Sequence, residues 1–374
     1  MKIMFSSLLL ALLLSCTAIS DPVINTDPVD AEQITYELVN DELKNPWGMT
    51  FLPDGKLLIN EKEGRIVLLE KGNIIDDDVK GGPQSKTQGQ GGLLDIELHP
   101  DFESNQWVYF TYASNEGEGE GAMTALSRAK WTGTAFTGHE VLYKGSPNTR
   151  KGQHFGSRIA FDKQNHVYFS IGDRGARDVN PQDITRDGGK IYRLHDDGSI
   201  PSSNPFVGQQ GAKEAVFSYG HRNPQGMATH PLTGEIWSHE HGPQGGDEVN
   251  LIKKGANYGW PVITYGVNYG GAPITDERER AGMEQPVTYW VPSIAPCGMA
   301  FVQDALYEGW ENNLIVGSLK FNYLVRLVIE DNQVVSEEKI AEGIGRVRNV
   351  EMGNDGYLYV GVEGKGLYRL VMRD

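Results

Sequence analysis

The sequence predicts an all-β fold, a six-bladed β-propeller of four-stranded antiparallel blades, on three observations. The 374 residues include 46 glycines and 18 prolines, a composition typical of a turn-rich β protein. Val, Ile, Tyr and Trp recur in alternating patterns, whereas no long segment has the 3.6-residue apolar period of a helix. A turn followed by an extended run also recurs six times along the chain.

Each repeat is a polar or glycine-containing turn that leads into a strand. In the first copy, the run from Phe51 to Ile59 is expected to pair across a polar turn with the run from Arg65 to Leu69. The spacing of roughly 45 to 80 residues fits one blade per repeat, with insertions on one face. A β-sandwich with an appendage is the alternative architecture. The other copies span 100–112, 161–173, 231–237, 309–317 and 354–370.

The first twenty residues are predicted to be an export signal. Lys2 precedes the apolar run from Leu8 to Leu14, which is too short to span a bilayer. A lipobox-like segment ends at Cys16, whose lipidation would anchor the chain, and an ordinary cleavage site after Ser20 is the alternative. We therefore expect an exported bacterial protein, either periplasmic or anchored to the outer membrane on its periplasmic side. The expected parts are a signal peptide at 1–20, a linker at 21–31 and the propeller at 32–374.

Charge and cysteine content restrict the partners and cross-links that can be expected. The formal net charge of -16 argues against nucleic acid, because phosphate backbones are bound by basic surfaces. Removal of the signal leaves Cys297 alone, so the mature chain has no intramolecular disulfide. The expected state is a monomer, with a dimer as the alternative.

Several polar residues lie in loops that adjoin predicted inner strands. His154 lies in a glycine-flanked loop, and an imidazole can take a proton near neutral pH. Basic side chains in the loops of different blades would form a site for a multiply charged anion, although ordinary surface charges are the alternative. Gln90 lies in a glycine-rich segment, where it is either a ligand or a turn residue. The polar residues of the candidate anion site are Arg222, Asn223, Lys320, Arg346 and Arg348.

Oxygen ligands for a hard cation follow the fourth repeat. Gly242 and Pro243 offer backbone carbonyls, and Asp247 with Glu248 supplies carboxylates, a set that suits Ca²⁺. His239 and His241 share one face of a strand and raise the alternative of a transition metal. That alternative lacks a third nitrogen or sulfur ligand nearby.

These motifs together carry a resemblance to a known family. From about Asn45 to Leu370 the sequence resembles the soluble glucose dehydrogenases that depend on pyrroloquinoline quinone (PQQ). Its compact length and the segment from Tyr265 to Gly270 are more similar to the bacterial aldose sugar dehydrogenases within that family. The matching motifs are Gly89–Leu94, His99–Phe102, Gly220–Gly226, Gly242–Pro243, Gly246–Glu248, Asn257–Pro261, Ser318–Lys320 and Arg346–Arg348.

The resemblance implies an activity and a set of site residues. It implies that aldose sugars are oxidised at C1 to lactones, with hydride transfer to PQQ and electrons passed to an external acceptor, either a separate carrier or a membrane quinone. His154 matches the general base. Gly242 and Pro243 match the carbonyls that bind the Ca²⁺ of the cofactor, and Glu248 with the backbone of Tyr258 matches a second, structural Ca²⁺ site. The matching cofactor contacts are Gln90, Arg222, Asn223, Tyr269, Lys320, Arg346 and Arg348.

Two functions of other classes remain as alternatives to the dehydrogenase. One is a propeller that binds sugars or a partner without catalysis, and the other is a Ca²⁺-dependent lactonase. The region after Gly270 is short compared with the larger glucose dehydrogenases. We therefore expect an open sugar pocket that accepts several aldoses.

Overall fold

The computed structural model describes residues 29–373, which form six four-stranded antiparallel sheets arranged in a ring. The predicted six-bladed β-propeller is thereby confirmed. The predicted signal peptide, its lipobox cysteine Cys16 and most of the predicted linker lie outside the described residues. Within 29–373, no helix is both long and apolar enough to cross a membrane.

Five blades use four consecutive strands each, and the first strand of every blade is innermost. The chain begins with β1 (Ile34–Asn40). Blade 1 contains β2 (Pro46–Phe51), β3 (Leu57–Glu61), β4 (Ile66–Glu70) and β5 (Asn73–Asp76). Blade 2 contains β6 (Leu93–Leu98), β7 (Trp107–Ser114), β8 (Met123–Trp131) and β9 (Phe136–Lys144). Blade 3 contains β10 (Ile159–Phe161), β11 (Val167–Ile171), β12 (Lys190–Leu194) and β13 (Val216–Tyr219).

The remaining blades follow the same order. Blade 4 contains β14 (Pro224–Thr229), β15 (Ile236–Glu240), β16 (Asp247–Leu251) and β17 (Thr288–Trp290). Blade 5 contains β18 (Pro296–Phe301), β19 (Leu314–Ser318), β20 (Leu324–Glu330) and β21 (Gln333–Ile340). Blade 6 contains β22 (Val347–Met352), β23 (Leu358–Val362) and β24 (Gly366–Met372). The helical elements are short: α1 (Phe102–Asn105) and two 3₁₀ turns, Ala31–Gln33 and Ala305–Tyr307.

The two ends of the propeller chain close the ring. The first strand, β1, is the outer strand of blade 6 and pairs antiparallel with β24, with Tyr36 opposite Leu370. Blade 6 is therefore built from both ends of the sequence. The six turns recognised in the sequence lead into the second strand of each blade, which explains why their spacing follows the blades.

Apolar side chains fill the spaces between neighbouring blades. One cluster joins blades 5 and 6 around the fully buried Trp310 and Ile315, and another joins blades 4 and 5 around Trp237 and Phe301. Burial of these large side chains is the main favourable contribution to folding. The first strand of each blade faces the centre of the ring, where the six innermost strands surround a channel.

A buried arginine fills the middle of this channel. The guanidinium of Arg158 donates to Oδ1 of Asp95 at 2.8 Å and to the carbonyl oxygens of Trp47, Gln225 and Arg348 at 2.7 to 3.1 Å. These contacts tie four innermost strands and the residue before β10 together across the axis. We call the two ends of the channel the N-terminal mouth, where the innermost strands begin, and the C-terminal mouth, where they end.

Candidate active site

The candidate residues converge at the N-terminal mouth of the channel. Two adjoining cavities open there, of about 420 Å³ and 380 Å³. We call them the histidine cavity and the arginine cavity. The first is lined by His154, Arg222, Pro243, Trp260 and Tyr269 among others. The second is lined by Gln90, Asn223, Arg346, Arg348 and Glu363 among others.

His154 is held by contacts on both its backbone and its ring. Its backbone N–H donates to Oε1 of Gln90 at 2.8 Å, and its φ of +58° places it in the left-handed region. Its Nδ1 lies 2.6 Å from Oδ1 of Asp173. The Nε2 atom forms no hydrogen bond to a described residue, and the side chain lines the histidine cavity. The carboxylate accepts a hydrogen bond from Nδ1–H, which keeps the proton on Nδ1 and leaves Nε2 as the basic atom.

Asp173 is a residue of the site that the sequence analysis did not predict. It follows β11, is 1% exposed, and accepts hydrogen bonds from the backbone N–H of Gly175 at 2.7 Å and from the indole N–H of Trp260 at 2.9 Å. Burial alone would raise the pKa of this carboxyl, but the hydrogen bond from His154 and the nearby Arg222 leave it below its ordinary value. Asp173 is therefore ionised at neutral pH.

The protonation state of His154 follows from the same surroundings. Burial lowers the pKa of the imidazole, the hydrogen bond to Asp173 raises it, and the positive charge of Arg222 lowers it again. The net effect is a pKa below the ordinary value. At neutral pH the imidazole is therefore unprotonated at Nε2 and able to accept a proton.

Close backbone packing fixes the loop that carries His154. A Cβ atom added to Gly172 would lie 2.5 Å from the carbonyl oxygen of His154 and 2.7 Å from Oδ1 of Asn223. The same amide oxygen of Asn223 accepts a hydrogen bond from Gly156. The sequence requires glycine at 172 because any larger residue would displace the histidine loop.

Three arginines supply the positive charge of the site. Arg346 and Arg348 bind opposite oxygens of Glu363, with Nε to oxygen distances of 2.7 and 2.9 Å. Arg222 is buried, donates to the carbonyl oxygen of His241 at 2.9 Å, and has its guanidinium 5.5 Å from the centre of the Trp260 ring. Glu363, which was not predicted as a site residue, thus orients two of the predicted cofactor residues.

Two predicted cofactor residues have a different placement from the rest. Tyr269 lies at the rim of the histidine cavity and is 77% exposed. Lys320 is exposed beside Phe321, with its Nζ 4.8 Å from that ring, and lines neither cavity. Its neighbour Leu319 lines the arginine cavity and accepts a hydrogen bond from Arg346.

The predicted Ca²⁺ residues fall into two places. Gly242 and Pro243 form a buried turn, in which the N–H of Gly242 donates to the buried Asp247, and Pro243 lines the histidine cavity. Glu248 lies opposite Glu240 on neighbouring strands. Burial and the negative charge of Glu240 raise the pKa of Glu248 to about 8. Tyr258 packs nearby, stacked on His221 with ring centres 4.5 Å apart.

The histidine pair considered as transition-metal ligands is engaged elsewhere. Nε2 of His239 lies 3.2 Å from the carbonyl oxygen of Gly298, and Nε2 of His241 lies 2.7 Å from that of Pro296. Both rings thus bind the backbone of β18. Across the described part of the chain, no group of three or more His, Cys, Asp or Glu side chains is arranged to hold a metal ion.

Comparisons with known proteins show the family of the chain. The glucose/sorbosone dehydrogenase family matches residues 43–369. Aldose sugar dehydrogenase YliI of Escherichia coli (strain K12) is 37% identical over 332 residues, 87% of this chain and 89% of that protein. A solved glucose dehydrogenase, 38% identical, has a TM-score of 0.87 and covers 91% of this chain and 99% of its own.

A further solved structure is relevant to the cofactor. It is the PQQ-bound form of an aldose sugar dehydrogenase from Streptomyces coelicolor, 27% identical, with a TM-score of 0.74 over 92% of this chain and 99% of its own. The family match covers most of the chain and includes both cavities of the N-terminal mouth. The chain therefore belongs to the glucose/sorbosone dehydrogenase family.

Proposed function

We propose that this protein is a PQQ- and Ca²⁺-dependent aldose sugar dehydrogenase that oxidises aldoses at C1 to lactones. The observation that carries the proposal is the pair formed by His154 and Asp173, which presents a free Nε2 to a cavity of about 420 Å³ beside three arginines. The PQQ-bound relative supports the choice of cofactor.

The residues of the arginine cavity fit a cofactor with three carboxylates. Arg346 and Arg348 place two positive charges in the wall of this cavity, although some of their N–H groups already bind Glu363, the carbonyl oxygen of Leu319 and the side chain of Gln225. Gln90 and Asn223 add amide groups to the same lining. The two guanidiniums of Arg346 and Arg348 carry two positive charges, against one negative charge on Glu363. The net positive charge of these three side chains makes the cavity favourable for an anion.

The residues also fit a hard cation. A Cβ atom added to Gly242 would lie 2.2 Å from the carbonyl oxygen of Gly245, so this turn is built of closely packed backbone. Near the second predicted site, Oδ1 of the buried Asn250 has no hydrogen-bond partner among the described residues, and its Nδ2 reaches Glu240 and Glu248. An unsatisfied amide oxygen beside two carboxylates is a donor set suited to Ca²⁺.

The proposed mechanism assigns one role to each residue. His154 Nε2 accepts the proton of the anomeric hydroxyl, while Asp173 holds the ring and stabilises the imidazolium that forms. PQQ, when bound, would supply a two-electron acceptor, and a Ca²⁺ held by the carbonyls of Gly242 and Pro243 would supply Lewis-acid stabilisation of negative charge. Arg222 adds positive charge at the boundary of the two cavities, and Trp260 fixes Asp173 through its indole N–H.

The wider setting is part of the same proposal. We infer export to the periplasm, with lipidation at Cys16 as the proposed anchor, and transfer of electrons to a separate carrier or a membrane quinone. The exposed rim residue Tyr269 and the short segment after Gly270 favour an open pocket that accepts several aldoses. A panel of sugars in which one aldose alone is oxidised would contradict that openness.

A reconstitution experiment tests the proposal. Metal-free apoprotein is titrated with PQQ, with and without Ca²⁺, and assayed with a dye acceptor and a panel of aldoses. We expect sugar-dependent dye reduction that saturates near one PQQ per chain and requires Ca²⁺. PQQ binding without turnover on any aldose would contradict the substrate, and absence of PQQ binding would contradict the cofactor and favour a non-catalytic propeller.

A further inference from the structure

The C-terminal mouth of the channel, opposite the active site, contains a separate cavity of about 280 Å³. The last residues of five innermost strands line it, those of β6, β10, β14, β18 and β22. The buried ion pair of Arg158 and Asp95 lies between this cavity and the N-terminal mouth. The cavity is therefore separate from both cavities of the candidate active site.

Strand register shows how this cavity is formed. The next-to-last residue of each innermost strand occupies an equivalent position in the ring, as the pairing with the second strand of each blade shows. Four of these residues are small and two are glutamates. The small residues leave space on one side of the channel, and the glutamates border that space. The six residues are Thr50, Glu97, Ala160, Ala228, Ala300 and Glu351.

The two glutamates lack a cationic partner of their own. Neither Glu97 nor Glu351 forms an ion pair within residues 29–373. The cation that acts on both, Arg158, is bonded to Asp95 at 2.8 Å. Burial raises the pKa of Glu97 well above its ordinary value and that of Glu351 to about 8. The charge of Glu351 raises the pKa of Glu97 further, and the charge of Asp95 adds to the increase at both. A positively charged ligand would stabilise the ionised carboxylates of Glu97 and Glu351.

Most of the other lining residues are apolar, and Thr229 and Gln303 are the polar exceptions. Phe161, Phe301, Met227 and Met299 all contribute to the wall, together with Ile159. Phenylalanine and methionine side chains beside carboxylates favour an ammonium group attached to an apolar body. The volume lies near the lower limit of small-molecule pockets, so the ligand has to be small.

We propose that the C-terminal mouth binds a small alkylammonium ion, with its charge on Glu97 and Glu351 and its alkyl body against the methionines and phenylalanines. The site is independent of PQQ and of sugar oxidation. Binding is reversible and involves no covalent step. Binding of the ammonium ion can therefore be tested separately from the proposed dehydrogenase activity.

The test is calorimetric titration of the purified protein with n-butylammonium chloride, using n-butanol as the uncharged counterpart. We expect one ammonium ion per chain and at least ~10-fold weaker binding of the alcohol, because a charged hydrogen-bonded group contributes more than a neutral one. Glu97→Gln and Glu351→Gln should each weaken ammonium binding by ~10-fold or more. Glu103→Gln, an exposed acidic position in α1, serves as the control and should leave it unchanged.

A second measurement does not depend on the glutamine variants. Methyl-labelled methionine spectra of the unmodified protein should show shifts of the Met227 and Met299 signals on addition of n-butylammonium, since both side chains line the cavity. Ala228→Val, which reduces the space without changing charge, should weaken binding. Equal affinity for butanol, unchanged methionine signals, or tighter binding of Ca²⁺ that displaces the ammonium ion would overturn the proposal.

Discussion

Nδ1 of His154 lies 2.6 Å from Oδ1 of Asp173, and this carboxylate is also bound by the indole of Trp260 and the backbone of Gly175. Three donors thus fix a side chain that is 1% exposed. These contacts fix the orientation of the imidazole of His154, so that its Nε2 faces the histidine cavity. Asp173 acts on the reaction through the ring of His154, which makes it a positioning residue.

Asp173→Asn should lower kcat by about 10- to 10²-fold and change the pH dependence. Activity requires unprotonated Nε2, so it is lost as pH falls through the pKa of His154, which is already below its ordinary value. The carboxylate raises that pKa, so its removal moves the acid limb to lower pH. A purely structural role would reduce kcat without moving the limb. Asp178→Asn, an exposed position that lines the same cavity, is the control in pH–rate profiles.

Arg348→Ala should weaken PQQ binding by at least ~10-fold. The variant removes a guanidinium from the arginine cavity and leaves Glu363 with Arg346 as its remaining arginine partner, which makes the cavity less favourable for an anion. The dissociation constant is measured by absorbance titration of the apoprotein. Arg369→Ala, which breaks an outer-edge pair with Glu37, is the matched control. Equal affinities for all three proteins would exclude Arg348 from the cofactor site.

Addition of Ca²⁺ should raise the melting temperature of the apoprotein by several degrees, because a ligand at 100 times its dissociation constant stabilises by about 2.7 kcal/mol. Glu248→Gln should lose a large part of this increase. Glu284→Gln, at an exposed ion pair with Lys253, should retain it. A full Ca²⁺-dependent increase in the Glu248 variant would mean that this carboxylate does not bind the ion.

Arg158→Met should lower the free energy of unfolding by about 3–5 kcal/mol, because it leaves Asp95 buried without its cation and frees three carbonyl oxygens. Arg280→Ala removes an exposed pair with Glu277 and should change it by less than about 1 kcal/mol. Urea denaturation measures both. A change of similar size in the two variants would contradict the role of Arg158 as the central tie of the channel.

Local sequence signals predicted the blades but not the closure of the ring. Each turn before a second strand contains glycine, proline or aspartate within a few residues of an alternating run, and such signals can be read locally. The pairing of β1 with β24 joins residues more than three hundred positions apart, as in Tyr36 opposite Leu370. No local pattern specifies a partner at that distance.

In the candidate site, too, local motifs were predictable from the sequence and contacts between distant loops were not. His154 and the arginines were predicted because matching motifs surround them. Asp173 was missed because an aspartate after a strand also has the pattern of a turn residue, and its partners Trp260 and His154 come from distant loops. Glu363 was missed for the same reason. Lys320 was predicted as a cofactor contact, yet its side chain lies outside both cavities.

The most direct test of the account is the His154→Ala variant, examined with PQQ and Ca²⁺ at saturating concentrations. Turnover with an aldose and a dye acceptor is measured beside a separate titration of PQQ binding. We expect a decrease in kcat of at least ~10²-fold with PQQ affinity unchanged, because the variant removes the base while the arginine cavity remains. Turnover near that of the unmodified protein, with PQQ bound, would contradict the assignment of His154 as the base.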